Sequence, residues 1–281
     1  MKKIATTLFA ILIIAAASAQ KPNYKVYAIQ FANPAISFAI ADWAESGPKT
    51  DSVKIDFMVW LVKGDNGKNI LLDAGFLSDI EDAKEFRVIN YTRPDSALTK
   101  LNIKANEITD VILSHPHWDH IDGINLFPNA QVWMQQEDYN YFVGSAWQKG
   151  GDNGGYNKRD ARKLLDVNLA GKLNLINGDN KEIIPGITVY TGARHTFNSQ
   201  YVKVNTGNND IVLASDNIWI YYSLEHETPN SKGGTLDPAG QVKAMQRMKT
   251  MVSNPRYIIP GHDHRIFETF ITIAPGVAEI K

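Results

Sequence analysis

An α/β fold of two stacked β-sheets with helices on their outer faces is the architecture this chain predicts, on three observations. Apolar stretches of strand length arrive in two rounds, one on either side of a glycine-rich segment near residue 150, and each round leads into a helical segment. The 281 residues, 44% hydrophobic and 21% charged, hold enough apolar material for one sizeable core. Past its first residues the chain shows no Pro-rich linker, low-complexity tract or repeat, so nothing marks an internal domain boundary.

The first residues, MKKIATTLFAILIIAAASAQ, pair two lysines with an apolar run from Leu8 to Ala17 and end in Ala17-Ser18-Ala19, the small-x-small pattern of a cleavage site. Residues 1–19 therefore read as a signal peptide and 20–281 as the mature domain. The apolar run is shorter than the ~20 residues a spanning helix needs, which disfavours the alternative of a membrane anchor. The expectation is an exported protein, periplasmic or secreted, with no stable membrane association after cleavage. There is no cysteine, so neither disulfides nor thiolate chemistry is available, and a metal site must be built from His, Asp and Glu. A formal net charge of −1 gives no footprint for nucleic acid or an anionic membrane. A neutral small molecule fits better. The oligomeric state stays open, a homodimer included.

The elements follow in order. FMVWLVKG and KNILLDAG flank Asp65-Asn66-Gly67, the turn signal of a hairpin. ALTKLNIKANEITDVILSH reads as a short helix, a turn and a buried strand from Val111 to Leu113, and QVWMQQEDYNYFV as a strand passing into a helix. SAWQKGGDNGGYN, with four glycines in six residues, predicts a mobile surface loop that could serve as an adjustable lid. GITVYTGARH, YVKVN and DIVLASDN supply the second round of strands. Asp237 then caps a helix that starts at Pro238 and runs to about Met251, and RYIIPGHDH adds a last strand and turn.

The histidines are placed unevenly along this frame. Three of the seven fall in SHPHWDHIDG, directly after the strand VILS, while His195, Asp216 and His262 each follow another apolar strand. Loops at one end of a sheet scaffold are where sites are assembled from distant sequence. In an extended loop, residues two apart point the same way, so His115 and His117 can grip one ion while Asp119 and His120 turn toward a second. His195 would complete the first shell and His262 the second. Asp216 could bridge both or form an Asx turn beside Asn217. Imidazole and carboxylate donors suit two zinc ions, and also accommodate iron or nickel. His226 and His264 read as surface or supporting groups, and Asp73, in LLDAG, as a turn former beneath the site rather than a ligand.

H-x-H-x-D-H with a later His, Asp and Gly-His resembles the metallo-β-lactamase superfamily over nearly the whole mature chain. That resemblance implies a single-domain, four-layer αβ/βα sandwich with a dinuclear site along one edge. Lack of cysteine, and the presence of Asp216, set the chain apart from β-lactamase subclasses that ligate through Cys or through histidines alone. FPNAQVWMQQEDYNYF, GDNKEIIPGITVY and IIPGHDHRIFE are similar to the N-acyl homoserine lactone lactonase branch. Two departures stand out. TGARHTFNSQ keeps His195, Thr196 and Gln200 but lacks the glycines and second histidine of the branch pattern, and Trp219 stands where the branch has a tyrosine that assists the lactone carbonyl. Tyr221 or Tyr222 either supplies that hydroxyl or is simply packed.

The activity this resemblance implies is quorum quenching, in which hydroxide held between two zinc ions opens the lactone ring and Asp119 carries a proton to the leaving alkoxide. Trp133, Tyr139, Tyr141, Phe142, Trp147 and Trp219 are candidate walls for an apolar acyl chain, with plain core packing as the alternative. Competing functions are hydrolysis of another lactone, an organophosphate triester or a β-lactam, and a non-catalytic zinc-binding exported protein whose ions are closed four-coordinate.

Overall fold

The strand Phe57–Gly64 is apolar on both faces because both faces are covered. Met58, Trp60 and Val62 point into one buried cluster, and Phe57, Val59 and Leu61 into another. A strand buried on two sides reads as a continuous apolar run rather than an alternation. Each large side chain so buried contributes roughly 1.5–3 kcal/mol. The same division holds for the neighbouring strand Tyr24–Pro34, where Val26 and Ala28 face one way and Tyr27 and Ile29 the other.

The computed structural model describes residues 22–281, so the expected signal peptide lies outside the described residues. Nine strands form one sheet, whose main path runs Ile271–Ala274, Val277–Ile280, Tyr24–Pro34, Phe57–Gly64, Asn69–Leu72, Asp110–Ile112, Gln131–Gln135 and Leu173–Ile176, with Val88–Ile89 paired beside it. Five form a second sheet, in the order Lys181–Ile184, Ile187–Thr191, Gln200–Asn205, Asp210–Ser215, Ile258–Pro260. The first buried cluster fills the space between the sheets and continues across the second sheet to its helices, where it takes in Leu224, Met245, Met248 and Ile266. The second cluster lies between the large sheet and its own helices, which contribute Ile121, Phe142 and Leu164. Helices, sheet, sheet and helices are the layers the sequence predicts.

The hairpin forms as expected, with Trp60 opposite Leu72. Helix Pro238–Lys249 is capped by Asp237, whose Oδ1 accepts from Gly240 N at 2.9 Å. Helix Lys158–Leu169 and the C-terminal hairpin Ile271–Ala274/Val277–Ile280 are additions that the sequence reading did not make. The helix shows only Asp160 and Leu164 buried, too thin an apolar stripe to read from the pattern.

Parallel pairing decides where the loops gather. Asp110–Ile112 runs parallel to Asn69–Leu72 and to Gln131–Gln135, and Asp210–Ser215 runs parallel to Ile258–Pro260, so the carboxyl ends of strands from both sheets open on one edge. At that edge Asp73, Arg194 and Ser215 adopt left-handed φ values of +63°, +54° and +46°. Non-glycine residues there cost about 1–2 kcal/mol each, a strain that persists only where surrounding contacts hold it.

The loop is held from behind by the buried carboxylate of Asp122, two residues past His120. It accepts from Leu77 N at 2.8 Å, from Arg159 Nε and Nη2 at 2.7 and 2.6 Å, and from Lys163, tying helix Lys158–Leu169 to the histidine-bearing loop. Asp122→Ala strands Lys163, which is only 16% exposed, without its main counter-charge. We expect a loss of about 3 kcal/mol in unfolding free energy, measured by urea denaturation; a loss under 1 kcal/mol would mean the helix is held by other contacts.

Candidate metal centre

Four loops bring the sequence-predicted ligands together. His115 and His117 follow strand Asp110–Ile112, Asp119 and His120 lie on the short helical turn Trp118–Ile121, His195 and Asp216 come from the second sheet, and His262 follows Ile258–Pro260. His115, His117, His195 and Asp216 offer ligand atoms within 4.8 Å of one another, and Asp119, His120 and His262 form a second such set. Asp216 straddles them: Oδ1 lies 3.1 Å from His262 Nε2 and 3.3 Å from His120 Nε2, while Oδ2 lies 3.3 Å from His195 Nε2. The grouping is the one expected, although Asp119 and His120 sit on a helical turn rather than an extended loop.

Each ring is oriented from behind. His115 Nδ1 is 2.8 Å from Ser114 Oγ, and His120 Nδ1 is 2.8 Å from Asp73 Oδ2. His195 Nδ1 is 2.7 Å from Gly234 O, and His262 Nδ1 is 3.0 Å from Asp56 O. With Nδ1 engaged, Nε2 of these four rings is left to point inward, the arrangement of imidazoles held for a metal. His117 is reversed, its Nδ1 lying 2.9 Å from His195 Nε2. The back of that ring packs on Gly155, where φ is +73° and a Cβ would come within 2.7 Å of His117 Cδ2. Gly155 O also accepts from Trp118 N at 2.9 Å. The glycine-rich segment is thus pinned to the centre at this end.

The residues fit a pair of cations. Buried His115 Nε2, His120 Nε2 and Asp216 Oδ1 make no hydrogen bond, a costly condition that a bound ion removes. Burial and the neighbouring His195 hold His117 neutral, its pKa lowered to about 3, and burial with the adjoining imidazoles holds His115 well below its ordinary range. Burial opposes charge on His120 and His262 too, but the Asp119 and Asp216 carboxylates, joined at His120 by Asp73, outweigh it and raise both. For Asp216, burial pushes upward and the His262 and His120 rings pull the carboxyl well below the usual range. The second set therefore demands positive charge, from protons or from a metal.

Above these ligands opens a cavity of about 580 Å³. Phe38, Trp43, Phe57, Phe86 and Trp118 wall one side, and Tyr141, Tyr156, Phe197 and Leu236 the other. Of the walls proposed from sequence, Tyr141 and Trp219 line it, whereas Trp133, Tyr139, Phe142 and Trp147 do not. Those four are packed elsewhere: Trp133 Nε1 donates to Asp110 and Trp147 Nε1 to Phe142 O. Phe57 and Trp118 could have been found, since one opens the predicted hairpin and the other lies inside the histidine motif. Phe38 and Trp43 stand in a stretch without helical or strand periodicity, which carries no such signal. Asp73 is indeed beneath the site, and besides making the turn it orients His120.

The tyrosines are a correction. Tyr221 packs in the first buried cluster under Arg265 with its hydroxyl buried and unpartnered, and Tyr222 stacks on His226 with its hydroxyl 3.4 Å from Ser46 O. Helix Tyr221–His226 begins just past Trp219 and carries both side chains away from the cavity. His264 pairs with Asp56 at 2.6 Å, a supporting place behind His262.

The family model of the metallo-beta-lactamase superfamily matches residues 58–262. An N-acyl homoserine lactonase AttM of Rhizobium johnstonii is 25% identical over 171 residues, 58% of this chain and 61% of the relative. An N-acyl homoserine lactonase of Bacillus cereus is 24% identical over 168 residues, 59% of this chain and 60% of that protein. The chain thus matches about three fifths of the length of these curated relatives. Among solved structures, a Bacillus thuringiensis AiiA variant with N-decanoyl-L-homoserine at its active site superposes with a TM-score of 0.70 at 19% identity, covering 90% of this chain and 98% of the other. The dizinc quorum-quenching lactonase AidC, in complex with a product, gives 0.64 at 18%, covering 93% and 95%. At these identities the likeness is one of fold.

Two expectations follow from the geometry. Because the neighbouring carboxylates raise His120 and His262 while burial lowers His115 and His117, a metal at the second set would have to displace protons that one held by His115 and His117 would not. Lowering the pH should therefore strip one divalent ion per chain before the other, read as metal content after dialysis between pH 8 and 5; simultaneous loss of both would contradict the assignment. Tyr221→Phe and Tyr222→Phe should each leave turnover of any hydrolysed substrate within about 2-fold, since neither hydroxyl faces the cavity; a 10-fold fall would restore a tyrosine to the mechanism.

Proposed function

Since the chain belongs to the metallo-beta-lactamase superfamily, we propose that it is a dizinc hydrolase that opens the lactone ring of N-acyl homoserine lactones. The observation that carries the reading is the pair of ligand sets straddled by Asp216 at the floor of a cavity walled by aromatic rings. A polar, charge-demanding floor suits an ester-like head, and an apolar wall suits an acyl tail. The lactonase relatives and the product-bound neighbours support the same substrate class.

His115, His117, His195 and Asp216 would hold one zinc, and Asp119, His120 and His262 with Asp216 the other. Zinc supplies a water made acidic enough to give hydroxide near neutral pH and a Lewis acid for the carbonyl oxygen. The chain's own part is to orient and to move a proton. Water adds to the lactone carbonyl carbon, the ring C–O bond breaks, and the proton released by the water must reach the departing alkoxide. Asp119 lines the cavity, with Oδ2 3.3 Å from His120 Nε2 and 3.6 Å from His262 Nε2. Its other oxygen is the proton carrier. The aromatic walls exclude water from the tail and fix its direction.

In this reading residues 1–19 are removed on export and the mature protein begins at Gln20, in the periplasm or outside the cell. No helix of the described residues is long and apolar enough to cross a membrane. An intact mass beginning at Gln20 is the expected finding for protein recovered from the cell envelope or medium.

The test of activity is a panel on purified protein with zinc measured alongside: a long-chain homoserine lactone, a carbapenem and an aryl phosphotriester. The lactone should give the highest kcat/KM, vanishing with chelation and returning with zinc. Full zinc loading without hydrolysis of any of the three would favour the binding-protein alternative. Asp119→Asn should lower kcat by about 10²-fold or more while zinc content falls by less than half; parallel loss of both would leave Asp119 a ligand only.

A further inference from the structure

We propose that Trp219 is the positioning residue that fixes the bridging carboxylate of Asp216, through its indole N–H. The inference rests on the reading of the two ligand sets as metal sites, and gives a role to a residue that the sequence read as a cavity wall and as a departure from the branch's tyrosine.

Trp219 Nε1 donates to Asp216 Oδ2 at 2.8 Å. That oxygen is the one turned to the first ligand set, while Oδ1 faces the second. Asp216 offers one oxygen to each ligand set, and rotation about its last bond would turn both away. The indole occupies one lone pair of Oδ2 and blocks that rotation. An indole N–H is a donor only, so it holds the oxygen without exchanging a proton with it.

Contacts of both its backbone and its ring hold the residue in place. Trp219 N donates to Asn230 Oδ1 at 3.2 Å, and Asn230 Nδ2 donates to Asp216 O at 2.9 Å. Trp219 O accepts from His262 N at 3.0 Å. The ring meets His195 edge-on at 5.6 Å and Trp43 at 5.3 Å, and its far edge lies against Gly234, where a Cβ would come within 2.5 Å of Cη2. Gly234 O is the acceptor that orients His195. The indole thus touches His195 and the glycine that orients it, and bonds the carboxylate that straddles both sets. A residue acting only as cavity wall would not need the indole N–H bond.

The experiment separates the N–H from the ring. Replacing Trp219 with benzothienylalanine, by site-specific incorporation, keeps shape and apolar surface and removes the donor; Trp219→Phe is the simpler companion. Zinc affinity is read by chelator competition, and kcat and KM by lactone hydrolysis. We expect zinc affinity to fall about 10- to 100-fold, with kcat falling and KM nearly constant. In an Asp216→Asn background the same replacement should change zinc affinity less than 2-fold, because the acceptor has lost its charge. Unchanged zinc affinity in the benzothienyl protein would overturn the proposal while leaving the dizinc reading intact. A wild-type protein that binds no zinc would defeat the dizinc reading and this inference with it. Should Trp219→Phe fail to fold, the near-isosteric replacement still decides.

Discussion

One buried carboxylate, Asp73, joins the two sheets at the point where the centre is built. It is fully buried, and its oxygens accept from Ser114 N at 2.8 Å, Ser114 Oγ at 2.9 Å, Ser215 Oγ at 3.0 Å and the ring of His120 at 2.8 Å. Ser114 belongs to the loop of the large sheet that bears His115, and Ser215 precedes Asp216 at the end of a strand of the smaller one. A charge taken out of water is stable only when its hydrogen-bonding capacity is filled, so the donors cannot part without leaving it unpaired. This is why the left-handed backbone at Asp73 and Ser215 persists.

From that fixed point the centre spreads outward as a layered set of orientations. Ser114, Asp73, Gly234 and Asp56 hold the far nitrogens of four imidazoles, the near nitrogens converge, and Asp216 spans the space between. Attraction between these carboxylates and a bound cation would be strengthened by the low dielectric beside the buried rings of Trp43, Phe57 and Trp118. The same aromatic rings face the cavity, so the groups that sharpen the electrostatics are also those a substrate tail would meet. In the proposed reading, metal binding and substrate selection would share one set of side chains, which would couple them.

Much of this was written locally and could be read. The hairpin at Asp65-Asn66-Gly67, the cap at Asp237 and the strand-then-histidine rhythm each depend on a few neighbouring residues, and all appear in the fold. Tyr221 and Tyr222 show the opposite case. They stand within three positions of Trp219 in sequence, yet helix Tyr221–His226 swings both away, and the direction of a side chain on a helix is not visible from proximity along the chain. The acyl-wall candidates Trp133, Tyr139, Phe142 and Trp147 failed for a related reason, while Tyr141 from the same stretch does line the cavity: an aromatic has two faces of a sheet or helix to choose from, and only packing decides.

The amino-acid sequence by itself determined which side chains can bind metal, because ligand chemistry is a property of residue type and the spacing from His115 to His120 confines four of them to one loop. It also determined the layered architecture, through apolar runs whose length and order admit few arrangements. Tertiary structure alone decided that Phe38, Trp43, Phe86 and Tyr156 surround the cavity, that Asp73 braces His120, and that the Trp219 indole lies on Asp216. Those relations join positions tens to hundreds of residues apart, or turn on one rotamer, and their energies arise only when two sheets close on each other and water has left.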